Sequence, residues 1–134
     1  IVIIDHLGLT RADKRGNAYE ETSAIADAAL AMAKELDVPV LGLLQLNRDV
    51  ESRQNKRPLL SDLRDSGKWE ENAHGIMFVY RDAYYNTDSE YPNLGEVILA
   101  KNRGGRTGTA NVYWKATTMQ FVDVATSAQR LSNE

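Results

Sequence analysis

The sequence predicts an α/β fold from three local patterns. Residues Ile1 to Ile4 are apolar at consecutive positions, which is typical of a strand covered on both faces of a sheet. A stretch with helical periodicity follows, and further short apolar runs alternate with polar segments over the rest of the chain. Strands that alternate with a helix favour a layered arrangement in which the helix packs against a sheet.

A helix is predicted to begin near Asn17, because Asn17 and Glu20 have the spacing of a capping box. Asp37 and Pro39 are expected to end it. One face of this helix should be buried, since less polar residues recur at helical intervals. These residues are Thr22, Ile25, Ala29, Met32 and Leu36.

Five later segments have the composition of strands. Val38 to Leu46 and Gly75 to Tyr80 are largely apolar and predict two more central strands. Three segments, at 96–100, 109–114 and 119–124, are expected to form antiparallel strands, with a glycine-rich turn between the first two. We therefore expect one domain over residues 1–125, followed by a flexible tail at 126–134.

Composition excludes several classes of protein. The 134 residues contain 43% hydrophobic and 26% charged residues, without an apolar run near the roughly 20 residues of a membrane span. The absence of cysteine excludes disulfides and thiolate metal sites, and His6 and His74 stand apart without a second ligand. A net charge of −3 restricts nucleic-acid contacts to local basic clusters, at Arg48–Arg64 and Lys101–Arg106.

Asp5 is the first candidate for chemistry. An apolar strand that ends in aspartate can hold the water shell of a magnesium ion, although Asp5 could also cap the turn that follows the strand. The phosphate-binding motif that accompanies such a strand is absent from these 134 residues, because Gly67 and Lys68 are followed by Trp69 and no earlier glycine precedes them at the required spacing. The sequence therefore predicts the second half of an ATPase core.

Three further positions have both a structural and a functional interpretation. Gln45 ends an apolar strand and needs a polar partner, which could be loop backbone or a ligand. Lys101 and Arg103 alternate on a predicted strand, so they could face a polyphosphate together or could guard an exposed edge.

The segment Arg64 to Gly67 also has two interpretations. Its glycine could serve a left-handed turn and nothing more. Alternatively, a glycine amide beside an arginine could bind a phosphate.

Taken in order, four motifs resemble the C-terminal motor domain of the DnaB-family replicative helicases, a RecA-like ATPase. IVIIDHLGL is similar to the family's Walker B strand, and AKELDVPVLGLLQLNR is similar to its next helix end and sensor strand. The segment KRPLLSDLRDSGKWEENAHGIMFVYRD resembles the run into the following strand, and AKNRGGRTGT resembles the closing Lys-x-Arg segment. The resemblance implies the C-terminal portion of a RecA-like P-loop NTPase fold. This portion would contain a central, mainly parallel sheet and antiparallel C-terminal strands, and it would lack the phosphate-loop strand.

The resemblance implies roles for individual residues in the use of ATP and Mg²⁺. Asp5 would be the Walker B aspartate that holds Mg²⁺ through water, and Gln45 would sense the γ-phosphate. Lys101 and Arg103 would reach in trans into the site of a neighbouring subunit, with Arg103 as the arginine finger. Walker A and the catalytic glutamate are not among these residues, so we expect the isolated 134-residue chain to be inactive.

The resemblance also implies partners. Arg64, Asp65 and Gly67 match the loop that contacts single-stranded DNA, with Asp65 where the family commonly has Glu. The implied protein is a homohexameric, ATP-dependent helicase that moves 5′ to 3′ in the cytoplasm of a bacterial or phage-infected cell, with no membrane partner. A primase and a helicase loader are candidate partners.

Two expectations remain open at this point. Without the phosphate-loop strand the sheet should have a gap, so the chain should pair its strands differently, exchange elements with another copy, or form part of a longer polypeptide. The alternative function is a non-catalytic module that binds single-stranded DNA or a helicase subunit.

Overall fold

The computed structural model describes residues 1–9, 18–63 and 66–124. These residues form two compact units. The first unit comprises Ile1–Val50 and Leu59–His74, and the second comprises Glu51–Pro58 and Gly75–Glu134. The predicted helix cap Asn17 and the predicted tail at 126–134 lie outside the described residues.

The first unit contains a pair of short parallel strands, β1 (Val2–Ile4) and β2 (Val40–Gly42). β2 is shorter than the strand predicted over Val38 to Leu46. The expectation that β1 is covered on both faces is wrong for the described residues, because Ile3 is 62% exposed. An apolar strand is buried by the elements that pack on it, and composition does not supply those elements.

Two helices complete the first unit, α1 (Ala18–Glu35) and α2 (Ser66–Asn72). The predicted helix is confirmed as α1, but Leu36, expected on its buried face, follows the end of the helix and is 58% exposed. Ala26, which was not among the residues of the predicted face, is 1% exposed. α1 packs against both α2 and β2. The side-chain amide of Asn72 donates a hydrogen bond to Asp27 Oδ1 at 2.8 Å and joins the two helices.

The second unit is built on a four-stranded antiparallel sheet with the order β3-β4-β5-β6. The strands are β3 (Gly75–Tyr80), β4 (Leu94–Asn102), β5 (Gly108–Lys115) and β6 (Gln120–Asp123). The three predicted antiparallel strands are therefore confirmed, with the glycine-rich turn between β4 and β5. A short helix, α3 (Asp82–Tyr85), was not predicted.

β3 differs from its prediction as a central strand, since it lies at the edge of the described sheet and is covered on one face. Ile76, Phe78 and Tyr80 are buried, whereas Met77 and Val79 are each 58% exposed. Such alternation is typical of a strand with one packed face.

The described strands form two sheets, and β1 and β2 share no hydrogen-bonded ladder with β3 to β6. The parallel pair, the helices and the antiparallel sheet together confirm the α/β fold class. None of the described helices has the length and apolar composition needed to cross a bilayer.

Candidate functional site

Asp5 and Gln45 lie beyond the carboxyl ends of β1 and β2. The register pairs Ile4 with Gly42, so Asp5 follows the last paired residue of β1 directly and Gln45 follows β2 after two further residues. Both side chains are exposed. Because the strands are parallel, their carboxyl ends meet at one edge, which is where open α/β sheets bind ligands. The structure thus brings these two sequence-predicted residues to the same edge.

The backbone around Asp5 is tied to the end of β2 on both sides. The amide of Leu43 donates to the carbonyl of Ile4 at 3.0 Å, and the amide of Leu7 donates to the carbonyl of Leu43 at 2.9 Å. The Leu7 side chain is 5% exposed and lies directly over Gly42, where an added Cβ would collide with its Cδ1. Glycine at position 42 therefore allows the Asp5 segment to lie close to β2.

Two contacts join the segment after Gln45 to the segment before Arg64. Leu46 forms an isolated antiparallel bridge with Leu63, and the amide of Asn47 donates to the carbonyl of Asp62 at 2.8 Å. Asp62 is 6% exposed, and its Oδ2 accepts a hydrogen bond from the amide of Leu59 at 2.8 Å. These bonds link the candidate nucleotide sensor to the start of the candidate DNA loop.

Gly67 lies in the first turn of α2, whereas Arg64 and Asp65 lie outside the described residues. The interpretation of Gly67 as a left-handed turn residue is wrong, because the glycine is helical and its φ is not positive. Gly67 is exposed, and an added Cβ would meet no heavy atom within 4 Å. Neither packing nor backbone conformation requires glycine at position 67. Because glycine has no side chain, the backbone here is open to close approach by a ligand.

Lys101 and Arg103 lie at the end of β4, with Lys101 half-buried in the strand and Arg103 exposed in the turn that follows. Arg103 comes one residue after the strand ends, so strand alternation does not determine its direction as the sequence suggested. Asn102, between the two cations, spans the turn. Its Oδ1 accepts a hydrogen bond from the amide of Gly104 at 3.1 Å, and its Nδ2 donates to the carbonyl of Arg106 at 3.1 Å.

Sequence reasoning placed Arg57 in a basic cluster available to nucleic acid, but the structure gives it an internal partner. Arg57 Nε lies 2.9 Å from one oxygen of Glu96, and Arg57 Nη2 lies 2.6 Å from the other. Its guanidinium also lies 5.0 Å from the centre of the Tyr80 ring. The hydrogen bonds with Glu96 raise the pKa of Arg57. The partners are 39 residues apart in sequence, so no local signal could have found this pair.

A tyrosine and an aspartate extend this network. The hydroxyl of Tyr80 donates to Asp82 Oδ1 at 2.9 Å. Burial, reinforced by this bond, raises the pKa of Tyr80 to about 12. Hydrogen bonds lower the pKa of Asp82, with the larger effect from Ser89 and a smaller one from Tyr80. The network holds the 51–58 segment within the second unit. Arg57 therefore has a structural role.

The oxygen ligands at the Asp5 edge suit a magnesium ion that is held mainly by water and phosphate. Among residues 1–9, 18–63 and 66–124, no group of three His, Cys, Asp or Glu side chains is placed to bind a metal. Mg²⁺ keeps several waters and is commonly bound by one or two carboxylates together with substrate phosphates. An exposed Asp5 at a strand end fits that mode.

Comparison with known proteins gives one consistent result. Residues 1–123 match the family model of the DnaB-like helicase C-terminal domain. The chain is 44% identical to the replicative DNA helicase DnaB of Geobacillus stearothermophilus and 40% identical to the replicative DNA helicase DnaC of Bacillus subtilis, in each case over 126 residues. Each alignment covers 92% of this chain and 28% of the relative, so the chain spans little more than a quarter of their length.

Two solved structures share the fold. One is a DnaB-like replicative helicase studied with its primase interactions, with a TM-score of 0.87 and 45% identity over 92% of this chain and 30% of that chain. The other is an ATPase domain, with a TM-score of 0.86 and 44% identity over 92% of this chain and 44% of that chain. The family match over residues 1–123, supported by these likenesses, establishes that this chain belongs to the DnaB-like helicase C-terminal domain family.

Proposed function

We propose that this chain is part of a replicative, ATP-dependent DNA helicase that couples ATP hydrolysis to 5′-to-3′ movement on single-stranded DNA and to unwinding of the duplex. The observation that supports this most directly is the common edge where Asp5 and Gln45 follow parallel strands. Family membership adds the expectation of nucleotide use.

Asp5 would hold Mg²⁺ through its water shell. The bound ion would neutralise charge on the β- and γ-phosphates of ATP, which is the usual contribution of magnesium to phosphoryl transfer. Asp5 itself supplies the carboxylate, and its segment is held by hydrogen bonds that join Ile4 and Leu7, on either side of it, to Leu43. A carboxylate on a fixed backbone loses less conformational freedom when the ion binds.

Gln45 would sense the γ-phosphate and transmit its presence to the DNA loop. The bridge between Leu46 and Leu63 offers a direct route, because it joins the residue after Gln45 to the residue before Arg64. A shift of Gln45 toward a phosphate would move the backbone of Leu46, and the paired Leu63 would follow. This route consists of two backbone contacts, the bridge between Leu46 and Leu63 and the hydrogen bond from Asn47 to Asp62.

Lys101 and Arg103 would act on the nucleotide of an adjacent subunit, which requires a second copy of the chain beside the first, and we propose a homohexamer. Both cations lie at the end of β4 near an exposed turn, a position that a neighbouring subunit could reach. Cations that stabilise charge on the transferred phosphoryl group accelerate such reactions, and an arginine finger contributes about 10³ to 10⁵ in rate.

Arg64, Asp65 and Gly67 would form the contact with single-stranded DNA. The openness of Gly67 supports this proposal, since backbone amides bind phosphates where no side chain blocks them. We further propose that the protein works in the cytoplasm of a bacterial or phage-infected cell, with a primase and a helicase loader as partners. A primase partner is supported by the likeness to a helicase studied with its primase interactions.

The test uses the full-length protein that contains these 134 residues. Arg103→Ala should abolish DNA-stimulated ATP hydrolysis, by at least about 10³-fold, while Mg-ATP binding measured by calorimetry stays nearly unchanged. Loss of binding would show that Arg103 is structural. If the unsubstituted protein binds single-stranded DNA and neither binds nor hydrolyses ATP, the alternative function as a non-catalytic DNA-binding module is correct.

A further inference from the structure

The turn between β4 and β5 contains an internal brace, the side chain of Asn102. One side-chain amide makes both bonds of the brace, because asparagine combines an acceptor and a donor. Its oxygen accepts from the amide of Gly104, and its nitrogen donates to the carbonyl of Arg106, each at 3.1 Å. Arg103 lies between Asn102 and Gly104, inside the braced segment.

The brace is anchored in the sheet and extends into solvent. Asn102 is half-buried and is paired in register with Gly75 of β3, whereas residues 103–107 are all exposed. An exposed turn of this kind has little packing of its own to hold it. The two hydrogen bonds therefore transfer the rigidity of β4 to the backbone that carries Arg103.

The local glycines fit this brace. A Cβ at position 105 would lie 3.2 Å from Asn102 Nδ2, tighter than most real contacts with a Cβ atom. A Cβ at position 104 would lie 3.8 Å from Asn102 Oδ1, which is ordinary contact. Glycine at position 105 thus lets the Asn102 amide cross the turn to Arg106.

We propose that Asn102 is a positioning residue for the nucleotide reaction, which sets the backbone of Arg103 so that its guanidinium reaches the phosphates of an adjacent subunit. This inference rests on the proposed role of Arg103. Asn102 touches no substrate in this mechanism and acts through the turn. A reacting group displaced by about 1 Å can lose about a hundredfold in rate, so a loosened turn should lower turnover without preventing nucleotide binding.

The primary test compares four variants of the full-length protein for DNA-stimulated ATP hydrolysis. Asn102→Ala removes both bonds and should lower kcat by about ten- to a hundredfold, with the KM for ATP within about twofold. Asn102→Ser keeps a weaker acceptor for the amide of Gly104 and should recover part of that loss. Arg103→Ala measures the full contribution of the finger.

Asn111→Ala is the matched control. Asn111 is an exposed asparagine in β5, and its side chain makes no hydrogen bond with any described residue. This variant should retain kcat and KM. Hydrogen exchange at the Gly104 amide provides a readout independent of activity, since exchange should accelerate in Asn102→Ala and stay unchanged in Asn111→Ala.

Mixed subunits test whether the effect acts across the ring. Asn102→Ala subunits retain Asp5 and Gln45, and Asp5→Asn subunits retain the Asn102 brace of the turn between β4 and β5. Mixing the two should restore hydrolysis above the sum of the separate proteins, because an Asn102→Ala site would then face a braced Arg103. No restoration would mean that the turn acts within its own subunit, and the proposal would be overturned.

The outcomes separate this inference from the proposed function. If Arg103→Ala leaves kcat unchanged, the role of Arg103 is wrong and the inference falls with it. If Arg103→Ala abolishes turnover and Asn102→Ala does not lower it, the inference alone is wrong. If Asn102→Ala lowers the melting temperature and raises KM as strongly as it lowers kcat, Asn102 is a general structural residue and the proposal is equally overturned.

Discussion

The amide of Asn47 donates a hydrogen bond to the carbonyl of Asp62 at 2.8 Å, and this bond joins the segment after Gln45 to the segment before Arg64. The adjacent bridge between Leu46 and Leu63 continues the same short ladder. If Gln45 senses nucleotide and Arg64 contacts DNA, this ladder provides a backbone route between the two events.

Asp62 is expected to hold that ladder in place. Asp62→Ala removes the buried acceptor of the Leu59 amide and should lower the free energy of unfolding by about 1–3 kcal/mol. It should also weaken the stimulation of ATP hydrolysis by DNA more than it weakens basal hydrolysis. Chemical denaturation and ATPase assays with and without DNA measure the two effects. Asp88→Ala, at an exposed aspartate, is the control, and equal behaviour of the two variants would contradict the prediction.

Gly42→Ala should displace the segment that holds Asp5. The new methyl group would collide with the Leu7 side chain, and such overpacking costs about 1–3 kcal/mol. We expect a lower melting temperature and weaker binding of Mg-ATP. The double variant Gly42→Ala, Leu7→Ala should recover part of the nucleotide affinity because it removes the obstructing side chain. Gly108→Ala, at a position open to solvent, should leave the melting temperature unchanged.

Arg57 and Glu96 should show measurable coupling. The pair is bidentate, with side chains 49% and 12% exposed respectively. Solvent screening of the exposed guanidinium limits the expected coupling to about 1 kcal/mol. A double-mutant cycle of Arg57→Ala and Glu96→Ala, measured by urea denaturation, gives this value directly. Additive single effects would show that the pair contributes nothing to stability.

Tyr80 should make the protein less stable at alkaline pH. Its pKa is raised to about 12 in the folded state, against about 10 for an unperturbed tyrosine. The stabilisation is complete below the unfolded pKa and is lost as the pH rises toward the folded pKa. Between pH about 10 and about 12, stability should fall by about 1.4 kcal/mol per pH unit from this group.

Tyr80→Phe should remove this part of the pH dependence. Urea midpoints measured across the alkaline range should therefore fall less steeply with pH in Tyr80→Phe than in the unsubstituted protein. Tyr84→Phe, which alters a tyrosine that is 72% exposed, is the control and should retain the original slope. Parallel slopes for all three proteins would refute the assignment to Tyr80.

Arg64→Ala should weaken binding to single-stranded DNA to a similar degree for all sequences. Loss of one phosphate contact should reduce the slope of log affinity against log salt by about one unit. Fluorescence anisotropy over a series of salt concentrations measures this slope. An unchanged slope would remove Arg64 from the DNA path, and Lys34→Ala, at an exposed lysine in α1, provides the comparison for simple loss of positive charge.

Patterns local in sequence determined much of the fold. The helical periodicity around Ala29 predicted α1, and alternating apolar residues separated by glycines predicted β4, β5 and β6 with the turn between the first two. The apolar runs before Asp5 and Gln45 placed both residues at strand ends. These features follow from backbone propensity and side-chain period, which act over a few residues and can be seen in the sequence itself.

The tertiary structure decided the rest because contacts distant in sequence leave no local pattern. It paired Arg57 with Glu96 and so gave a basic residue a structural role. It left Ile3 exposed despite its apolar strand, since burial is a property of neighbouring elements. It also bent the backbone after β4 so that Asn102 could brace the turn of Arg103, a geometry that depends on which atoms the folded chain brings within hydrogen-bonding distance.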